Sequence, residues 1–123
     1  MEDPKVPDRK TGLQRVLRAC LYTRDGLVST FRTEAAFRQE VALTVLLVPL
    51  ACYLAPNRAS LAAMIGSLML VLIVELLNSA IEAVVNRFGP EWNSYSKCAK
   101  DGGSAAVFVA LLNVALVWLI CLA

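Results

Sequence analysis

The sequence contains no histidine. That removes Ser-His-Asp and Cys-His catalysis and imidazole metal sites, so any acid–base or metal chemistry falls to carboxylates. The four cysteines, Cys20, Cys52, Cys98 and Cys121, form no Cys-x-x-Cys pair, and Cys52 and Cys121 stand in apolar runs. Neither a disulfide framework nor a zinc site is expected from them. Also missing are a GxxxxGK[ST] phosphate loop and a kinase glycine loop, so nucleotide use would need an unrelated site. The amino end has no apolar core ahead of a cleavage site. Residues 1–12 (MEDPKVPDRKTG) are polar, contain proline and mix charges. They read as a disordered tail rather than a signal peptide.

The most informative absence is of charge. No Asp, Glu, Lys or Arg occurs from Val41 to Asn57, from Ala59 to Val74, or from Gly102 to Ala123. Crossing about 30 Å of hydrocarbon takes roughly 20 helical residues. The third run meets that alone, and the other two meet it with their flanks. The hydrophobic fraction of 58% across 123 residues exceeds that of soluble domains. The chain therefore reads as one all-α integral membrane domain, residues 13–123, with no nucleic-acid partner.

Along that domain, residues 13–31 suggest an amphipathic surface helix. Leu13, Val16, Leu17 and Cys20 follow helical spacing, with Arg15, Arg18 and Arg24 at other positions. Gly26 is a candidate interruption. The charged segment from Thr33 to Glu40 is expected to run as one continuous helix into the first span, supported by Glu34 and Arg38 at i,i+4. Spans are expected over about 35–55, 59–88 and 97–122. Pro49 is tolerable in a membrane helix. Ala55-Pro-Asn-Arg58 makes a short turn, and Gly89-Pro90 stops the second span.

Eight of the twelve Lys and Arg precede the uncharged run of the first span, and three more flank the loop between the second and third. The positive-inside rule then puts the amino end and that loop in the cytoplasm, with the carboxyl end outside.

Chemistry concentrates in Val74-Glu-Leu-Leu-Asn-Ser-Ala-Ile-Glu-Ala-Val-Val85. Glu75, Asn78, Ser79 and Glu82 recur at i, i+3, i+4 and i+7, one face of the second span. The sixteen uncharged residues before Glu75 rise about 24 Å. Glu75 thus falls near the inner edge of the hydrocarbon, with Glu82 about 10 Å nearer the cytoplasm. A carboxylate there costs at least ~2.5–3.5 kcal/mol on insertion scales. An interhelical hydrogen-bonding role is the plain alternative to catalysis. Glu34 and Glu82 should approach one another at the cytoplasmic surface, where two carboxylates suit Mg²⁺. Each alone also resembles a solvated interfacial charge. Lys100-Asp-Gly-Gly103 opens the third span in a form compatible with phosphate or with ordinary helix initiation.

The segments Thr33–Glu40, Val74–Val85 and Ala99-Lys-Asp-Gly-Gly-Ser-Ala-Ala-Val107 closely resemble the prokaryotic diacylglycerol kinase family, over about residues 13–123. The resemblance implies a homotrimer in the bacterial inner membrane, with active sites shared between subunits. It implies Glu75 as general base supported by Asn78, and Glu34 with Glu82 on the metal. Arg15, Tyr22, Glu34, Glu82, Lys100 and Asp101 would contact ATP, with Lys100 near the transferred phosphate. Glu75, Arg38 and Ala35 would meet the lipid. The chain departs from better-known members at Thr33, Asn86, Gly102 and Glu91-Trp-Asn93, and the last bears on nucleotide contacts.

The chemistry agrees, because phosphoryl transfer needs an oriented hydroxyl, neutralised phosphate charge and a base. Diacylglycerol presents its hydroxyl at the head-group boundary, where Glu75 is expected. The rivals are a polyprenol kinase of the same mechanism and a proton-coupled transporter using Glu75 as carrier. A purely structural subunit would leave the polar face of the second span without a purpose.

Overall fold

A computed structural model describes residues 12–123; the expected tail lies outside them except for Gly12. The chain forms four helices: α1 (Leu13–Thr33), α2 (Ala35–Leu54), α3 (Arg58–Asn86) and α4 (Ser94–Leu122). The last three are long and apolar enough to cross a membrane, so the protein is an all-α membrane protein. Helix α3 packs against both α2 and α4, while α1 leans on α2 and α3.

Each boundary has a local cause. Asn57 caps α3 by accepting a hydrogen bond from Ser60 N at 2.8 Å, and Pro49 sits inside α2 without ending it. Helix α3 ends at Asn86, and three residues on the chain turns at Gly89, whose φ of +96° is a left-handed conformation that suits glycine. Helix α4 starts at Ser94, three residues before the expected Lys97. Asn93 is the reason: its Oδ1 accepts from Tyr95 N (2.9 Å) and Ser96 N (3.1 Å).

Two expectations about α1 and α2 are corrected. Gly26 does not interrupt α1, which runs unbroken through it. The Thr33–Glu40 segment is not one continuous helix, because the chain turns at Glu34, whose φ of −111° and ψ of 108° are extended. The carbonyls freed at the end of α1 find a donor in Arg38, whose Nη1 reaches Phe31 O at 2.8 Å and Arg32 O at 3.0 Å. Arg38 thus serves the turn rather than an ion pair with Glu34.

The core is a single seam along α3. Met64, Leu68, Val71, Glu75 and Asn78 are all buried. Their alternating spacing of four and three residues is that of helices packed at a shallow crossing angle. Ala51 and Phe37 from α2 and Ala110 from α4 complete the apolar part. The buried Gly103 and Ala110 of α4 are seven residues apart, and small residues there let two backbones approach. Trp118 Nε1 lies 3.4 Å from Met64 O, tying the far end of α4 to α3.

Candidate active site

Followed from Met64 towards Asn78, the buried seam of α3 changes from apolar to polar. Glu75 is only 4% exposed and Asn78 8% exposed. Both therefore occupy positions that helix packing would ordinarily give to Leu or Val. The periodic polar face expected from the sequence is this seam, and Glu82 continues it half-buried.

Around Glu75 the structure gathers further carboxyl groups. Glu40 of α2 faces it across the helix interface. Glu34 and Glu82 lie within coulombic reach. Glu34 serves the start of α2 with its backbone, and its carboxylate makes no capping hydrogen bond. That carboxylate, half-buried like Glu82, is left free for other partners. Hydrogen-bonding capacity around Glu75 is also unspent: Glu40 Oε2, Asn78 Oδ1 and Ser79 Oγ are buried without a partner. Buried polar atoms are paired in the great majority of cases, so these orphans are available to a group from outside the chain.

Asn78 sits tightly against α4. A Cβ placed on Gly103 would collide with Asn78 Oδ1 and stand 3.2 Å from its Cγ. The glycine expected to allow close backbone approach does so here, admitting a side chain of the seam.

Lys100 and Asp101 are exposed near the start of α4 and share a different feature, an open cleft of about 800 Å³ beside the α3–α4 turn. Asn86, Glu91, Trp92 and Lys97 line it with them. Lys97 Nζ bonds Asp101 Oδ2 at 2.6 Å, which leaves Lys100 without an acidic partner among the described residues. The cleft does not include Glu34, Glu75 or Glu82. Arg15 and Tyr22 project from α1, Tyr22 at 68% exposure, and Ala35 opens α2, also exposed. The Lys100 cleft nonetheless begins close to the carboxylates, since Val85 and Asn86 in its lining stand one turn beyond Glu82 on the same face of α3.

No group of three or more Cys, Asp or Glu among the described residues is placed to hold a metal ion. Mg²⁺ needs fewer, since it is commonly held by one or two carboxylates together with phosphate and water. The free carboxylates of Glu34 and Glu82 fit that requirement.

Two charged residues at these features, Glu40 and Lys97, are not singled out by the motifs above. Glu40 is the last charge before the first uncharged run, so the cost of burying a carboxylate that singled out Glu75 applied to it too. Lys97 was visible as the i−4 partner of Asp101.

Comparison with known proteins adds an independent line. The family model for Prokaryotic diacylglycerol kinase matches residues 21–122. A diacylglycerol kinase of Pseudomonas aeruginosa is 52% identical over 109 residues, covering 89% of each chain. One from Escherichia coli is 46% identical over 117 residues, 95% of this chain and 96% of its own. A Helicobacter pylori diacylglycerol kinase is 38% identical over 118 residues, 96% of this chain and 92% of its own.

Proposed function

The chain belongs to the prokaryotic diacylglycerol kinase family, and from that membership we propose how its residues carry out the lipid kinase reaction. The acceptor is diacylglycerol, whose free hydroxyl attacks the γ-phosphorus of ATP. The bond from that phosphorus to the β–γ bridging oxygen breaks, ADP leaves, and phosphatidic acid forms. The hydroxyl proton passes to the Glu75 carboxylate. The observation that carries this reading is Glu75 itself, a buried carboxyl in a membrane helix, ringed by Glu34, Glu40 and Glu82.

Burial serves the reaction in two ways. It keeps water, a competing acceptor, from the base, and it places the base where a lipid hydroxyl rests. Asn78 beside it contributes amide N–H donors that help hold the hydroxyl or the base. Glu34 and Glu82 would hold Mg²⁺ with the nucleotide; the ion, when bound, neutralises charge on the phosphate oxygens. Lys100 supplies a further positive charge to the transferred phosphate, and Asp101, Arg15 and Tyr22 hold the rest of ATP. Arg38 and Ala35, where α2 begins, lie along the path of the lipid.

Three thin helices are too few to enclose both a nucleotide and a lipid, which supports a homotrimer in which neighbours complete each other's sites. The balance of basic residues supports an inner-membrane protein with its amino end in the cytoplasm and its carboxyl end in the periplasm.

The test is transfer of labelled phosphate from Mg²⁺-ATP in mixed micelles, with diacylglycerol and undecaprenol as parallel acceptors and Glu75→Gln as blank. Labelled phosphatidic acid from the unsubstituted protein alone is expected. Label only in undecaprenol would replace the acceptor, and no label in either, from folded protein, would overturn the reading.

A further inference from the structure

Gly103 lies on α4, the second residue of the uncharged run, and is buried against α3. The space a side chain would take there is already filled. A Cβ would collide with Asn78 Oδ1 and stand 3.2 Å from Cγ and 3.8 Å from Cβ of the same residue, so the three atoms nearest to it all belong to Asn78. The other helical glycines, Gly26, Gly66 and Gly102, have open space at this position. Asn78 Oδ1 is moreover buried without a hydrogen-bond partner. Its place is therefore set by shape, against the Gly103 α-carbon, rather than by a donor.

We propose that Gly103 is a positioning residue for Asn78: its bare α-carbon forms the seat that holds the Asn78 carboxamide in the buried seam, one helical turn from Glu75. With the oxygen end pressed on α4, the carboxamide plane is fixed and its two N–H donors are left for the substrate hydroxyl or the Glu75 carboxylate. This rests on the reading of Glu75 and Asn78 given above, and adds a partner from another helix.

A methyl group at 103 meets the far end of a side chain rather than backbone, so the helices can stay in place while Asn78 gives way. Oδ1 must swing away and Cγ, at 3.2 Å, must give by a few tenths of an ångström, so the carboxamide keeps neither its plane nor its place. The carboxamide then leaves its position near Glu75. Displacing a positioning group by about 1 Å can cost on the order of a hundredfold in rate.

The experiment compares Gly103→Ala, Asn78→Ala and the double variant in micelles, measuring kcat and the KM for ATP per unit of folded protein. Gly103→Ala is expected to lower kcat by roughly ten- to a hundredfold with the KM for ATP within about twofold. Adding it to Asn78→Ala is expected to cost nothing further, because its target is already gone. A purely structural glycine would lower the folded yield in both backgrounds and leave kcat per folded enzyme unchanged, which would overturn the proposal. So would a further tenfold loss in the double variant. If Asn78→Ala itself keeps full kcat, the fault lies in the Asn78 role; if it loses kcat while Gly103→Ala does not, the fault lies in this proposal alone. Should Gly103→Ala fail to fold, Gly103→Ala/Asn78→Ser, where the shorter side chain leaves room, is compared with Asn78→Ser. Equal kcat supports the proposal and a tenfold deficit overturns it.

Discussion

The Arg38 guanidinium reaches back across the α1–α2 turn to the carbonyl oxygen of Phe31, 2.8 Å from Nη1. Seven residues separate the two, and the bond closes the corner between α1 and α2. A second bond from the same nitrogen to Arg32 O makes Arg38 the cap of α1.

Removing that cap should loosen α1 without touching the spans. Hydrogen bonds from charged donors contribute about 1.5–3 kcal/mol, and exposure to water puts this one towards the lower end. Arg38→Met is therefore expected to raise amide exchange over residues 27–33 by roughly tenfold, equivalent to about 1.4 kcal/mol. Exchange in α3 and α4 should not change. Arg38→Lys, with a single ammonium in place of the fork, should recover part of the protection. Equal exchange in Arg38→Met and the unsubstituted protein would show that the turn is held by something else.

The carboxylates should divide by role. A general base contributes about 10²–10⁴ in rate, so Glu75→Gln should lower kcat by at least a hundredfold while binding of Mg²⁺-ATP survives. Glu34→Gln and Glu82→Gln should instead raise the Mg²⁺ concentration needed for half-maximal rate, by tenfold or more. Chelating the metal should stop the unsubstituted enzyme, and added Mg²⁺ should restore it. Titrating Mg²⁺ across the three variants checks the division; a shared pattern would refute it.

The sequence already contained the spans and most of the site, because both rest on short-range rules. Uncharged runs locate the three membrane helices, and i, i+3, i+7 spacing puts Glu75, Asn78 and Glu82 on one face. Which face that is depends on packing, and nothing local to α3 says that Met64, Leu68 and Val71 share it. The break at Glu34 was hidden for a related reason. Helix propensity and the Glu34–Arg38 spacing both favour continuity, and the turn is stabilised by a side chain four residues further along. The Gly103–Asn78 contact joins positions 25 apart and emerges only once α3 and α4 are packed.

Asn93 links fold to site in a way that can be measured. Its side chain caps α4 through Tyr95 N and Ser96 N, and Asn93 lines the cleft that holds Lys97, Lys100 and Asp101. Replacing an N-cap with alanine costs about 0.5–2 kcal/mol. Asn93→Ala should fray the first turn of α4 and raise the KM for ATP severalfold, with kcat at saturation nearly unchanged. Asn93→Asp, which keeps the acceptor, should behave like the unsubstituted protein in stability.

Lys97 gives the sharpest contrast between stability and binding. Its pair with Asp101 is short, 2.6 Å, but both side chains are more than 60% exposed. Exposed pairs contribute little to the stability of a fold, so Lys97→Ala should leave thermal unfolding almost unmoved. The same change removes one of two ammonium groups from the cleft and leaves the Asp101 carboxylate unneutralised beside Lys100. An anionic nucleotide then meets a less positive surface. The KM for ATP should rise by roughly three- to tenfold, and the rise should shrink as salt is added, since screening weakens attraction between exposed charges. Lys97→Arg should restore the KM. If the KM for ATP in Lys97→Ala does not move at low salt, the cleft beside the α3–α4 turn is not where the nucleotide binds.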